Sequence, residues 1–545
     1  MRLGGAGHLH MSTLSERLCF IMSEIQRGGA ALAEAVKKAY EAGQTDYYLE
    51  PMVRVNADGS PIGKIQDGDA VLFCCRRGER EIELTDAFTD AAFPHFERKT
   101  IDGLDFVILT MYHDKYAGKL PIAFAPSKVE KPLAQIISEH GLTQLHCAES
   151  EKFAHVTFFF NGGYNEPFPG EDDIRIPSPK GVPFDSVPEL SLPEVADNVI
   201  QGLEKGYHFI VTNFANGDVI GHTSNCDAKV ACAGYVDKHL ARVIEIAKRE
   251  NYVIAVTADH GNLELMLNKE GKPHVAHTTN LVPFVMIDPA NDHALTLSDG
   301  TLGDVAPTVL QVLGIEKPAE MTGSSLASAV EFGKGRKMLL VILDGWGFGA
   351  KDETDPIWLG ETPKYDAMLE KYPPSRLRAS GEAVGLGAGK PGNSEAGHIN
   401  IGSGRCVAQD DVRLDNAMKD GSFEKNEVFL KAIADVQKRG KALHLLALLT
   451  KQSSHGSIDY PLALLKMAKE LPEVYVHIIF DGRSTEPGSA PSLLLDLDEK
   501  MEQIGQGQIV DGVGRGVALD RDQNWAKIQK VYEALVEGKA EQKYQ

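Results

Sequence analysis

Three apolar runs of the chain finish in acidic residues. Asp344 closes MLLVILD, Asp218 follows IVTNFANG, and Asp259 with His260 ends YVIAVTAD. A strand-end aspartate most often caps the next turn or helix, and each of these taken alone reads that way. Their neighbours point further. Asp218 and His222 are four positions apart, which sets a carboxylate and an imidazole on one side of a helical turn. Asp259-His260 runs into Gly261-Asn262, a turn that aims neighbouring side chains together, and His274 and His277 lie in the polar segment PHVAHTTN. Oxygen and nitrogen donors without thiolates suit Mn2+, Zn2+ or Mg2+, and there are enough of them for two ions.

A nucleophile is also in reach of this reading. In Pro391-Gly-Asn-Ser394-Glu-Ala-Gly-His398, at what reads as a helix start, Asn393 or Ser394 suits an N-cap. Ser394 equally suits a nucleophile whose hydroxyl is deprotonated by a bound metal. The preceding Gly387-Ala-Gly-Lys-Pro-Gly392 matches G-x-G-x-x-G, but it follows no clear strand and contains a proline, so a dinucleotide site is rejected.

These groups meet only if the elements that carry them are neighbours. From Glu130 to Leu326 the runs HVTFFF, HFIVTNF, YVIAVTAD and VPFVMID alternate with helical periodicity. Short runs rich in Val, Ile and Phe predict strands buried on both faces of a parallel sheet, whose functional groups gather beyond the carboxyl ends. Ala329–Lys337 (AVEFGKGRK) reads as a surface linker into the strand MLLVILD. Beyond Arg413 come strands LHLLALL and VYVHIIFD and a closing helix, NWAKIQKVYEALVEG. At the other end, 30 residues read as a tail, followed by a helix near Ala31–Gly43, a short strand Val71–Cys75 and a cationic stretch from Arg76. The fold class is α/β.

Composition bounds the rest. The chain has 545 residues, enough for two to four domains, and 56 Lys+Arg against 77 Asp+Glu give a net charge of −21. That balance disfavours nucleic acid and anionic membrane surfaces as partners, so an anionic substrate would need a local concentration of Arg, Lys or metal. The 7 cysteines include no Cys-x-x-Cys pair, which argues for a reducing compartment. With no apolar run long enough to span a bilayer and no convincing leader, the expected location is cytoplasmic.

The segments LVILDGWG, GNSEAGHINIG, EKFAHVTFFFNGG, NFANGDVIGHT, TADHGNLE, HTTNLVP and EMTGSSL resemble the cofactor-independent (2,3-bisphosphoglycerate-independent) phosphoglycerate mutases of the alkaline phosphatase superfamily. The matches extend over nearly the whole chain after about Ala39. Their order differs from the family's, in which DGWG and NSE come first and DHG and HTTN last. Here the family's C-terminal half runs to Leu326 and its N-terminal half begins at Lys337, which implies a circular permutation. Such a rearrangement is permissible where the old termini lie close and the new break falls in an exposed loop.

The resemblance implies an extension (1–30), a phosphotransferase domain in two parts (31–128 and 413–545) and an alkaline-phosphatase-like metal domain (129–412). It implies two divalent ions, Mn2+ foremost, with Mg2+, Co2+ or Zn2+ as alternatives. Asp218, His222 and His277 match the ligands of one; Asp344, Ser394, Asp259 and His260 match those of the other. Ser394 matches a transiently phosphorylated nucleophile and Lys152 a lysine that contacts the phosphoryl group. His455, Arg483, Arg515, Arg521, Arg77 and Arg80 match substrate binders, and guanidinium groups suit phosphate and carboxylate.

Departures cluster in the phosphotransferase domain. The family's SDGGVHSH reads Thr450-Lys-Gln-Ser-Ser-His455-Gly-Ser, DGRD reads Asp481-Gly-Arg483-Ser484, and NFRADR has become CCRRGER. Ser484 thus replaces an aspartate assigned to a substrate hydroxyl proton. The implied reaction interconverts 3-phosphoglycerate and 2-phosphoglycerate, in glycolysis and gluconeogenesis, within a monomer. Water would hydrolyse the phosphoserine, so closure of the two domains is expected. The alternatives are a phosphomonoesterase with the same metal site and a binding protein that has lost turnover.

Overall fold

The computed structural model describes residues 27–76, 80–126, 128–291, 293–451, 453 and 455–545. The chain divides into two compact units, Met1–Pro126 with Leu414–Gln545, and Ser127–Arg413. Both are α/β, as the alternation of apolar runs and helical periodicity predicts.

In the first unit the strands are β1 (Met52–Arg54), β2 (Ala70–Phe73), β3 (Asp105–Thr110), β4 (Ile122–Phe124), and then β13 (Leu443–Leu449), β14 (Val474–Phe480), β15 (Gln508–Gly514) and β16 (Gln542–Tyr544). They form one sheet in the order β16-β1-β15-β14-β13-β2-β3-β4. From β15 to β4 neighbours are parallel, β1 is antiparallel to β15, and β16 is parallel to β1. Among the described residues the last strand therefore pairs with the first, Met52 opposite Gln542. Successive side chains of LHLLALL serve opposite faces. Leu445, Ala447 and Leu449 pack with Leu32, Val36 and Leu494, whereas Leu446 and Leu448 pack with Ile528, Val531 and Leu535. A strand covered by helices on both faces has no polar side to show, which explains its unbroken apolar run.

The expected N-terminal extension, 1–30, lies almost wholly outside the described residues. Arg27 is already tied to the sheet, accepting from the Ile509 amide at 2.6 Å, and the first described helix runs Gly29–Glu41.

The second unit carries β5 (Gln144–Glu149), β6 (Glu171–Ile176), β7 (Phe209–Phe214), β8 (Tyr252–Thr257), β9 (Val282–Ile287), β10 (Gly300–Thr301), β11 (Lys337–Leu343) and β12 (Ser375–Arg378). Its order is β10-β12-β9-β8-β11-β7-β5-β6, and β8, β11, β7, β5 and β6 are mutually parallel. Fully buried Val, Ile, Leu and Phe of β7, β8 and β11 make the centre of the core. The segment read as a linker, Ala329–Lys337, leads into β11, the strand between β8 and β7, and Arg336 in it is paired with Asp288.

One predicted strand is absent. HVTFFF forms a wide helical turn, His155–Phe159, whose Phe160 amide donates to the His155 carbonyl at 3.1 Å. A short apolar run fits either a buried strand or a buried helix by periodicity, and here it lies beside β5 and β7 rather than joining them. Among the described residues no helix is long and apolar enough to cross a membrane.

Candidate metal centre and anion-binding edge

The parallel strands of the second unit deliver their chemistry at one edge. Lys152 follows β5, Asp218 follows β7, Asp259 and His260 follow β8, and Asp344 follows β11. Asp218 lies in the short helix Asn216–Gly221, and His222 caps its end, so the four-residue spacing does place both on one side of a turn. Ser394 opens the helix Ser394–Ser403, and Asn393 caps it by accepting from the Ala396 amide at 2.8 Å. Cap and candidate nucleophile are thus adjacent residues. A Cβ added at Gly397 would stand 2.6 Å from the Asp259 Cβ, so only glycine lets this helix abut the β8 loop.

The side chains converge. Lys152 Nζ lies 2.6 Å from Asp218 Oδ2, 2.7 Å from Asp344 Oδ1 and 2.7 Å from Ser394 Oγ. His260 Nε2 is 3.0 Å from Ser394 Oγ and 3.4 Å from Asp259 Oδ2. Asp218 Oδ1 faces His277 Nε2 at 3.0 Å and His222 Nε2 at 3.2 Å, and those two nitrogens are 2.9 Å apart. Asp259, His260 and Asp344 are fully buried; Ser394, Asp218 and Lys152 are nearly so.

Charge at this edge is unbalanced. Burial pushes Asp218 up, but the Lys152 ammonium and hydrogen bonds from His222 and His277 bring it well below the usual carboxylate range. Asp259 is likewise lowered against its burial, by His260 and His398. Asp344 is raised, by burial and then by the charge of Asp259. Lys152, which burial alone would lower, is raised by Asp344 and Asp218. Three buried carboxylates face one ammonium.

The donor set fits divalent cations. Each histidine turns Nδ1 to a backbone carbonyl: His222 to Val275 at 2.8 Å, His277 to Gly392 at 2.7 Å, His260 to Gly261 at 3.3 Å. Those acceptors engage Nδ1 and leave Nε2 as the atom turned inward, the arrangement that orients imidazole ligands. Two inward Nε2 atoms 2.9 Å apart beside a carboxylate oxygen need a proton or a cation between them. Asp259 Oδ2, buried, has no hydrogen-bond partner. Two groups of three potential ligands, Asp218-His260-His277 and Asp259-His260-Asp344, each fall within 4.8 Å. A third, His146-Glu171-Asp173, does not fit, because both ring nitrogens of His146 face acceptors, Val156 O at 2.7 Å and Gln144 Oε1 at 3.2 Å. His274 is not among the converging groups; its carbonyl accepts from Lys229 Nζ at 2.6 Å.

Sequence reasoning missed the layer behind the ligands. Asn213 Nδ2 donates to Asp344 Oδ2 at 2.6 Å, Asn262 Nδ2 to Asp218 Oδ1 at 2.9 Å, and His398 Nδ1 stands 3.4 Å from Asp259 Oδ2. All three lie inside the segments NFANGD, DHGNLE and GNSEAGH, so adjacency to a ligand was the available signal.

In the first unit the expected anion binders follow the carboxyl ends of four neighbouring strands: Arg80 after β2, His455 after β13, Arg483 after β14, and Arg515 and Arg521 after β15. Arg77 lies outside the described residues. These groups do not converge as the candidate metal ligands do. Arg515 is buried and bound to Asp481 at 2.5 Å, Arg80 donates to Leu519 O at 3.0 Å, and His455 Nδ1 is 3.1 Å from Glu81 Oε1. Arg483 and Arg521 are exposed. Arg76, not singled out from sequence, is buried, with Nη2 donating to Ser453 O at 2.8 Å and Nη1 to the Tyr460 hydroxyl. Ser484 is exposed, its Oγ 3.4 Å from Ser453 Oγ.

Comparison with known proteins adds independent findings. Residues 6–317 match the Metalloenzyme superfamily, and residues 414–545 match the BPG-independent PGAM N-terminus. A module described as an N-terminus thus lies at the C-terminal end of this chain. A 2,3-bisphosphoglycerate-independent phosphoglycerate mutase of Moorella thermoacetica is 46% identical over 296 residues, 54% of this chain and 56% of the relative. One from Thermomicrobium roseum is 42% identical over 310 residues, 55% of this chain and 58% of the relative. The chain therefore spans little more than half the length of the curated relatives it matches. A solved structure of Leishmania mexicana phosphoglycerate mutase at low cobalt concentration aligns with a TM-score of 0.41 and 30% identity, covering 50% of this chain and 52% of that one.

Proposed function

The chain belongs to the Metalloenzyme superfamily, and from that premise we propose that it is a phosphoglycerate mutase, circularly permuted, that interconverts 3-phosphoglycerate and 2-phosphoglycerate through a phosphoserine on Ser394. The observation that carries this reading is the inward convergence of three imidazole Nε2 atoms and three carboxylates beside one buried serine hydroxyl.

Asp218, His222 and His277 would hold one divalent ion, Mn2+ in the first instance, and Asp259, His260, Asp344 and Ser394 the other. Bound there, the ions supply a lowered serine pKa and neutralise charge on the phosphoryl oxygens. Ser394 Oγ attacks phosphorus, forming the O–P bond as the ester bond to the glycerate oxygen breaks. Lys152, 2.7 Å from Ser394 Oγ, would pair with a phosphoryl oxygen as charge builds. The freed glycerate keeps its carboxylate on arginine while it re-orients; His455, Arg483, Arg515, Arg521, Arg77 and Arg80 are the groups proposed for this. Its other hydroxyl then attacks the phosphoserine, and Ser394 leaves with its oxygen restored. The described cysteines are unpaired, which supports a reducing, cytoplasmic setting, and the enzyme is proposed to act as a monomer.

The test is product distribution. With Mn2+ and 3-phosphoglycerate, 2-phosphoglycerate is expected as the main product. Free phosphate in excess of 2-phosphoglycerate would replace this reading with a phosphomonoesterase.

A further inference from the structure

Glu264 ends the segment TADHGNLE, beyond the ligands Asp259 and His260, and is 1% exposed. Its carboxylate accepts from four donors. Oε2 receives the Asn262 amide at 2.8 Å and the Gly347 amide at 3.0 Å. Oε1 receives Asn280 Nδ2 at 2.9 Å and the Thr278 hydroxyl. Those donors belong to three separate segments, each of which carries proposed ligands: Asn262 the loop after β8 with Asp259 and His260, Gly347 the loop after β11 with Asp344, and Thr278 and Asn280 the segment with His277. A Cβ at Gly347 would come within 2.5 Å of Glu264 Oε1, so the β11 loop closes on the carboxylate only because that position is glycine.

We propose that Glu264 is a positioning residue that fixes the spacing of both metal centres at once, by tying the three ligand-bearing segments to one buried carboxylate. The inference rests on the metal-dependent reading of the site. An acceptor-only group is what the position requires, since all four contacts are donors. Two of these donors are backbone amides and cannot be inverted. Glutamine therefore fits in one orientation alone, its oxygen toward Asn262 and Gly347 and its NH2 toward Thr278, whose hydroxyl can turn to accept, and Asn280, whose amide can flip. Glu264→Gln should be milder than Glu264→Ala. Thr278→Val removes one of the four bonds and should be mildest.

Mn2+ titration followed by calorimetry, alongside thermal unfolding without metal, tests this. The wild-type chain should bind two ions. Affinity at both sites should fall together, by about 10–100-fold in Glu264→Ala and less in Glu264→Gln and Thr278→Val, following the usual effect of removing a group behind metal ligands. If Glu264→Ala does not fold, the other two variants decide. Unchanged affinity in folded variants, or weakening confined to one site, would overturn the proposal. A wild-type chain that binds no Mn2+ would instead overturn the reading of the site itself, so the two failures are distinguishable.

Discussion

The two sheets solve opposite problems with the same device. Each brings polar groups to the carboxyl ends of adjacent parallel strands, yet in the second unit the groups meet and in the first they are mostly engaged elsewhere. Around Ser394, carboxylates and imidazoles crowd within about 3–4 Å, and like groups face each other, His222 against His277 and Asp344 against Asp259, a tension that a cation relieves. At the candidate anion-binding edge, Arg515 is satisfied by Asp481, Arg80 by a carbonyl and His455 by Glu81. A cation site is built from groups that need something between them. An anion site of arginines can be stable with nothing bound, because each guanidinium can find a carbonyl or carboxylate of the protein.

The contrast is sharpest at Ser394. Ser394→Ala should lower turnover of 3-phosphoglycerate by at least about 10^3-fold while urea unfolding changes little, since the Asn393 cap remains. Retained turnover would remove the nucleophile from the account. The next largest effect is expected at Arg515, whose side chain and that of its partner Asp481 are 1% and 0% exposed. Arg515→Met strands a buried carboxylate and should destabilise the first unit by about 3–5 kcal/mol in urea unfolding. A loss below about 1 kcal/mol would remove the structural role and leave Arg515 only the substrate-binding role proposed above.

A third effect depends on pH and belongs to the first unit. His444 is buried in a chain of side chains, with Nε2 3.2 Å from Asp69 Oδ2, Nδ1 2.9 Å from His477 Nε2, and His477 in turn 2.5 Å from Asp511. Tyr475 also lies against it. Burial, with a further push from His477 and against the pull of Asp69, lowers His444 to about 4. The unfolded chain then takes up a proton near pH 6.5 that the folded one refuses until about pH 4. This contribution is whole above pH 6.5 and is lost on acidification towards pH 4, by roughly 3 kcal/mol. Urea midpoints measured across that range should fall, and His444→Gln should flatten the fall; a flat wild-type profile would refute the assignment. The smallest effect is expected from Ser484→Asp, which restores a carboxylate beside Ser453 and should raise formation of 2-phosphoglycerate severalfold. No change would mean that another group handles the hydroxyl proton.

Legibility in the sequence followed the same division. The convergence of Asp218 with His222, Asp259 with His260, and Asp344 could be read because a polar residue at a strand end interrupts an apolar run, and a helical spacing or a glycine turn fixes its direction. HVTFFF could not be read, since a short apolar run fits a helical turn and a strand equally, and the wide turn His155–Phe159 lies beside β5. Glu264, Asn213 and Asn262 look like ordinary turn residues until the loops they join are seen together. The arginines carried the opposite ambiguity. Arg515 and Arg483 have one side chain and one kind of neighbour in sequence, but Arg515 is locked in a buried ion pair with Asp481 at the end of the adjacent strand while Arg483 is exposed, a difference that shows only once the strands pair.

The central claim is that Asp218, His222, His277, Asp259, His260, Asp344 and Ser394 hold two divalent ions. Anomalous diffraction from crystals loaded with Mn2+ addresses it directly. Two peaks are predicted beside Ser394, one bounded by Asp218, His222 and His277 and the other by Asp259, His260 and Asp344; a map with no peak at this edge, or with manganese only elsewhere on the chain, would contradict the account.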